Sequence, residues 1–154
     1  MVRLSDAGPP DDGPPDGVAL AALQAAVVRS AVGGAPLPGG APPIALPDAV
    51  PPAGDGATLL LDEALPAGLS GLLLRGVRLV RPDALRRDAA ALRGATFLRL
   101  APASDAGALT RVALEVWRDP GDGTRWIALG GVQVAARRAG DGWRVAEPPR
   151  AFAV

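Results

Sequence analysis

The chain contains no histidine, cysteine or tyrosine, no lysine and no asparagine, and its sixteen cations are all arginine. These absences remove most side chains that act as nucleophiles, neutral-pH bases or soft metal ligands. Carboxylate and guanidinium are the ionisable chemistry that remains. Without cysteine there is no disulfide framework, no thiolate zinc site and no redox clue to compartment. Without lysine a GxxxxGK[ST] phosphate loop is ruled out. The same bias, rich in Ala, Gly, Pro and Arg, is how a GC-rich genome spells proteins, and its chemical consequence holds whatever its origin. Long hydrophobic runs are missing too. The longest, Val18 to Val32, is interrupted by Gln24, Arg29 and Ser30 and falls short of the roughly 20 apolar residues that span a bilayer. Asp11, Asp12 and Asp16 precede it, opposite in charge to the start of a signal peptide. A cytoplasmic location is the default expectation. A secreted or periplasmic protein, with a signal ahead of Met1, is the alternative.

A length of 154 residues suits one core rather than two. The net charge of zero hides an asymmetry. Residues 1–56 carry six Asp against Arg3 and Arg29, a net −4, whereas residues 57–154 carry fourteen Arg against ten acids, a net +4. Eleven of the seventeen prolines lie in the acidic part. The expected organisation is a flexible acidic leader over residues 1–16 and a single α+β domain over 17–154.

Asp16 is placed to cap a helix over residues 17–32, with Gly33-Gly34 ending it. Its apolar stripe is Leu20, Leu23, Val27 and Ala31. Ala and Val fill the opposite side, so such a helix must be covered on most sides. Residues 34–56 read as a Pro/Gly-rich connection that Ile44, Leu46 and Val50 pin onto the core. Strands are expected over Thr58–Leu61, Leu72–Val80 (weakened by Gly76) and Thr96–Leu100. Pro82 and Asp83 open a second helix that Gly94 stops.

From Arg111 to Arg118 the residues alternate, with Val112, Leu114 and Val116 on one face and Arg111, Ala113, Glu115 and Trp117 on the other. Residues 119–124 form a turn. Closing the hairpin symmetrically pairs Val116 with Ile127, Leu114 with Leu129 and Trp117 with Trp126. Counting onward by two puts Val132 and Val134 on the wrong face. A one-residue bulge at Gly130-Gly131 repairs the parity and leaves Gln133, Ala135, Arg137 and Arg144 on the surface face. The alternative is a sheet buried on both faces. Val132, Val134 and Ala136 lead to a turn at Gly140-Asp141-Gly142 and a last strand with Trp143 and Val145.

The pattern Gly130-Gly131, Arg138, Gly140, Gly142-Trp143-Arg144-Val145 resembles the closing hairpin of small bacterial α+β proteins with cystatin-like or nuclear-transport-factor-like folds. The resemblance covers roughly residues 72–147. It implies one or two helices packed on a four- to five-stranded antiparallel meander. Such folds serve ketosteroid isomerase-type enzymes and pure binding modules alike, so fold alone does not assign a role. The isomerase-type members use an Asp base with Tyr or acid donors. This chain has no Tyr, and none of its motifs receives those roles.

The remaining chemistry is sparse. Ser70 sits in Gly68-Leu-Ser70-Gly71, a turn rather than a nucleophile elbow without a histidine. Asp119, Asp122 and Thr124 offer oxygen atoms in one turn, as Asp11, Asp12 and Asp16 do in the leader, but neither set matches a calcium loop. No metal or cofactor is expected. Glu115 is the carboxylate in mid-strand, either a solvated charge paired with an arginine or a base whose pKa burial would have to raise. The most suggestive group is Trp117 and Trp126 with Arg111, Glu115, Arg118 and Arg125: either a recognition face or aromatics covered by helix and connection. The expected function is a non-enzymatic binding module for a protein partner or a second copy, with a small ligand also compatible. Nucleic acid is disfavoured by zero net charge and a pI near 6.2. The alternatives are a small isomerase- or hydrolase-like enzyme using carboxylates in a sheet–helix pocket, and a secreted accessory protein.

Because residues 1–15 offer no apolar periodicity, their deletion should leave the melting temperature within about 2 °C. A fall several times larger in a thermal melt would make the leader part of the core.

Overall fold

The computed structural model describes residues 17–46, 50, 57–63, 65, 69, 76–87, 96–118, 125–140 and 142–153. The turn acids Asp119 and Asp122, the leader aspartates and Ser70 lie outside them. Helix α1 spans Gly17–Gly33 and ends where Gly34 adopts a positive φ of 75° and donates its N–H to Ser30 O. A single 3-10 turn follows at Pro38–Gly40. The strands are β1 (Thr58–Leu61), β2 (Val77–Val80), β3 (Thr96–Leu100), β4 (Ser104–Ala106), β5 (Leu109–Arg118), β6 (Ile127–Ala139), β7 (Gly142–Val145) and β8 (Arg150–Ala153). A short helix α2, Pro82–Arg87, lies between β2 and β3.

The architecture is α+β, but the sheet is larger than the expected meander and mixed. Eight strands join in the order β2-β1-β3-β5-β6-β7, with β4 on β5 and β8 on β6. The first three run parallel, β1 between β2 and β3, and the others pair antiparallel. The parallel part corrects the antiparallel expectation for a physical reason. Alternation of apolar residues encodes which face a side chain takes, not the direction of the neighbouring strand. The connection from β1 to β2 and that from β2 to β3 cross in opposite directions along the sheet, so connections of one hand must take opposite faces. Leu65 and Leu69 of the first connection accordingly pack on the α1 side, and Ala84 of α2 packs on the other.

The α1 face holds the main core. Leu23, Ala25, Val27 and Val28 meet Leu60, Leu98, Leu114, Val134 and Ala136. Leu20 is half-buried and Val18 is 78 % exposed, so α1 is open at its start, while from Leu20 to Val32 it is covered on most sides, with Ala22 the exposed residue there. A buried hydrogen bond ties the Pro-rich connection to α1, with Ile44 N–H donating to Ser30 Oγ at 2.9 Å, and Leu37 is buried in the same core. Ile44, Leu46 and Val50 pack on the same core. At the other end of α1, Trp143 Nε1–H donates to Ala19 O at 2.9 Å and ties the helix to β7.

The parity break between Leu129 and Val132 is resolved by a bulge. Val116 pairs with Gly130 and Trp117 with Ala128, which leaves Leu129 as the extra residue in β6. The bulge therefore falls at Leu129-Gly130, one residue ahead of Gly130-Gly131. Leu129 packs on the main core, while Ile127, at the hairpin end, is 45 % exposed. The symmetric hairpin pairing does not form: Leu114 faces Val132, Trp117 faces Ala128 and Arg118 faces Ile127.

With Leu23 fully buried between helix and sheet, Leu23→Asp should cost more than about 3 kcal/mol, since an unpaired charge would enter the core. Urea denaturation of the variant checks this, and a folded variant of near-native stability would contradict the packing described.

Candidate functional site

The face opposite α1 is built from the alternate residues of each strand and is divided by one row across the sheet. In that row Arg99 faces Glu115, Glu115 faces Gly131, and Gly131 faces Phe152. On one side of the row lies a second, smaller core of Leu59, Leu61, Val80 and Phe97, with Ala84, Trp117 and Trp126 packed against it. Trp126 meets the Phe97 ring edge-on, with centroids 5.2 Å apart. Both tryptophans are half-buried. They are thus partly core, and they meet through this cluster rather than as a cross-strand pair. Ala84 of α2 and the two tryptophans cover this half of the face among the described residues.

The dividing row carries a small polar network. Arg99 Nη1–H donates to Glu115 Oε1 at 2.9 Å, and Trp117 Nε1–H donates to the same oxygen at 2.9 Å. Arg99 Nε–H reaches Glu63 Oε1 at 3.4 Å. Burial works against the Arg99 charge, but the hydrogen bonds and charges of Glu115 and Glu63 outweigh it and raise its pKa. Glu115 is therefore neither a free surface charge nor a free base. It is a clamped acceptor with two donors on one oxygen. Gly131 must lack a side chain here, because a Cβ would lie 2.5 Å from Leu114 O and 2.7 Å from Phe152 Cζ.

Beyond the row the face turns cationic. Arg111, Arg137, Arg144 and Arg150 share it with Ala113, Gln133 and Ala135, as the registers Arg111↔Ala135, Ala113↔Gln133, Arg137↔Arg144 and Gln133↔Arg150 require. Arg137, Arg144 and Arg150 are exposed and Arg111 is half-buried. Ala135 is only 5 % exposed, as expected of a methyl ringed by long side chains. The ion pairs found among the described residues join Arg81 to Asp83 and Arg99 to Glu63 and Glu115. None involves the four arginines of this half. Arg137 and Arg144 stand directly opposite each other, an arrangement that is unfavourable without counter-charge.

Of the residues picked out from sequence, Trp117, Trp126, Glu115 and Arg111 do lie on this one face, but in different parts of it. The tryptophans belong to the apolar half, Glu115 to the border and Arg111 to the cationic half. Arg118 and Arg125 are exposed at the hairpin end, away from Arg111. Arg137 and Arg144 carried a legible signal in the parity count. Arg150 did not, because the four residues Arg150–Ala153 are too few to show an alternation. Among the described residues no group of three or more acids that could hold a metal occurs, and no helix is long and apolar enough to cross a membrane. Comparison with protein-family models, with curated proteins and with solved structures finds no match to the chain.

Replacing Glu115 by Leu would leave the Arg99 guanidinium short of a partner and the Trp117 indole N–H without one, so Glu115→Leu should destabilise by about 2 kcal/mol. Arg118→Ala should stay within about 0.5 kcal/mol. Equal effects for the two variants in urea melts would show that the clamp contributes nothing.

Proposed function

We propose that this chain is a non-enzymatic interaction module that receives a carboxylate-rich protein segment on the arginine half of its open sheet face. The observation that carries the reading is the set of four arginines, Arg111, Arg137, Arg144 and Arg150, on one face with no ion pair among the described residues. Guanidinium groups bind carboxylates bidentately, and directly opposed cations gain most from a shared counter-anion. Phe152, 37 % exposed at the border of the patch, offers an apolar contact at its rim. That suits a protein segment better than a phosphate backbone. A single-strand nucleic acid would need open stacking platforms, and Trp117 and Trp126 instead lie across the dividing row, packed on the second core.

The enzymatic alternative draws less support. The partly buried Glu115 accepts from Arg99 and Trp117 on one oxygen, so it serves a structural network. The proteins that the closing hairpin resembles include pure binding modules, which is compatible with the present reading. The chain itself supplies a competitor for the patch, since residues 1–56 carry a net −4. A second copy offers the same acidic segment.

The test is fluorescence anisotropy with a labelled oligoglutamate peptide ending in leucine. Binding should weaken steeply with salt, and the pair Arg137→Glu and Arg144→Glu should lower affinity by about tenfold or more. Deleting residues 1–15 should strengthen binding by removing the internal competitor. Affinity that is unchanged in the charge-reversed variant, or tighter binding of a single-stranded oligonucleotide than of the peptide, would overturn the proposal.

A further inference from the structure

A second concavity lies at the other end of the sheet and owes nothing to the arginine patch. It opens at the carboxyl ends of the neighbouring parallel strands β1 and β3. There the chain leaves β1 through Asp62 and Glu63 toward the α1 face, while the chain leaving β3 stays in the plane of the sheet to form β4. Crevices outside the carboxyl ends of parallel strands are where open α/β sheets place ligands. The cavity measures about 160 Å3 and is lined by Leu20 and Gln24 of α1, Glu63, and the stretch Arg99 to Ala103. That is well above the ~15 Å3 that one water requires.

One of its walls carries a polar group with an unmet requirement. Gln24 is 4 % exposed, and its Oε1 has no hydrogen-bond partner. Leu20 and Gln24 are four residues apart on α1, so they present one helical face to the cavity. A buried amide oxygen without a donor costs roughly 1–3 kcal/mol, so Gln24 Oε1 calls for a donor from outside the chain, a ligand or water. The surrounding protein offers it few donors. Ala101 N–H is already donated to Ala113 O, and Pro102 has none. The Arg99 guanidinium is engaged by Glu115 and Glu63. Glu63 accepts from Arg99 on Oε1, which leaves its second oxygen as a further acceptor. Arg99, Glu63 and Glu115 together carry a net charge of −1, so an anion is disfavoured. The remaining lining, Leu20, Leu100, Ala101 and Ala103, is apolar.

From this arrangement we infer that the crevice between α1 and the carboxyl ends of β1 and β3 binds a small primary amine in its ammonium form. The ammonium donates to Gln24 Oε1 and to the Glu63 carboxylate, and a short alkyl tail lies against Leu20 and Leu100. The site is separate from the arginine patch, so either can fail without the other.

Nitrogen-edited proton NMR tests this cleanly, because the chain has no Asn and its two glutamines are Gln24 and Gln133. Two side-chain amide pairs are therefore expected in the spectrum. Titrating full-length protein with n-propylamine should shift the Gln24 pair saturably and leave the Gln133 pair in place. Glu63→Gln should weaken the titration by about tenfold, and propionate should produce no saturable shift. Without amine, Gln24→Leu should melt higher than the parent, since it removes the orphaned acceptor and keeps the volume. The inference is overturned if n-propylamine gives no saturable shift, or if propionate matches it. A lower melting temperature for Gln24→Leu would also overturn it, because Gln24 Oε1 would then be satisfied by ordered water in a merely hydrated crevice.

Discussion

The fold turns on two adjacent glycines. Gly130 and Gly131 lie where β5, β6 and β8 come closest, and neither tolerates a side chain. A Cβ on Gly130 would lie 2.5 Å from Phe152 O, and one on Gly131 would lie 2.5 Å from Leu114 O. Gly130 also holds a φ of 148°, which side-chain-bearing residues rarely adopt. This freedom lets β6 absorb Leu129 as an extra residue, and the bulge decides which residues share a face. Downstream of it Val132, Val134 and Ala136 stand over Leu114 and Val112 on the α1 side. Gln133, Ala135 and Arg137 are sent to the other side. A shift of one residue would exchange the two sets and put arginine into the core.

The opposite face then divides itself by chemistry. Parallel strands need covered faces on both sides, and α2 with the tryptophans covers their half. The antiparallel strands tolerate one open face, and that is where the arginines without an ion pair among the described residues collect. The border between the halves is the row from Arg99 through Glu115 and Gly131 to Phe152. Glu115 is tolerable at an apolar boundary because two donors converge on it. The cationic half and the aromatic half are thus two outcomes of one alternation in β5.

Much of this was legible in the residues, and the misses have physical causes. Thr58–Leu61 and Thr96–Leu100 form strands with the expected bounds, and helix α1 runs one residue beyond its expected end. The parity break between Leu129 and Val132 called for a bulge near Gly130-Gly131, and one forms a residue earlier. The strand expected from Leu72 is described from Val77, with Gly76 as the turn before it. The tryptophan pairing failed because the hairpin closes two residues wider than a symmetric turn: Arg118 faces Ile127 instead of Arg125, so Trp117 faces Ala128 before the bulge is reached. Strand direction left no trace in the alternation, so the parallel β2-β1-β3 group was read as part of a meander. β4 and β8 have three and four residues, too few to establish a period. Gln24 looked like an interruption of an apolar stretch. Its burial beside a crevice depends on contacts from β1 and β3, far away along the chain.

The most direct measurement of the account is the register of β5 against β6 by inter-strand nuclear Overhauser effects. The account predicts contacts between Leu114 and Val132 and between Trp117 and Ala128, with Leu129 and Gly130 both near Val116. Contacts joining Leu114 to Leu129 and Trp117 to Trp126 as backbone neighbours would contradict it. They would move the irregularity off Leu129, and unbroken alternation from there to Ala136 would exchange the faces of β6 and dissolve the arginine patch.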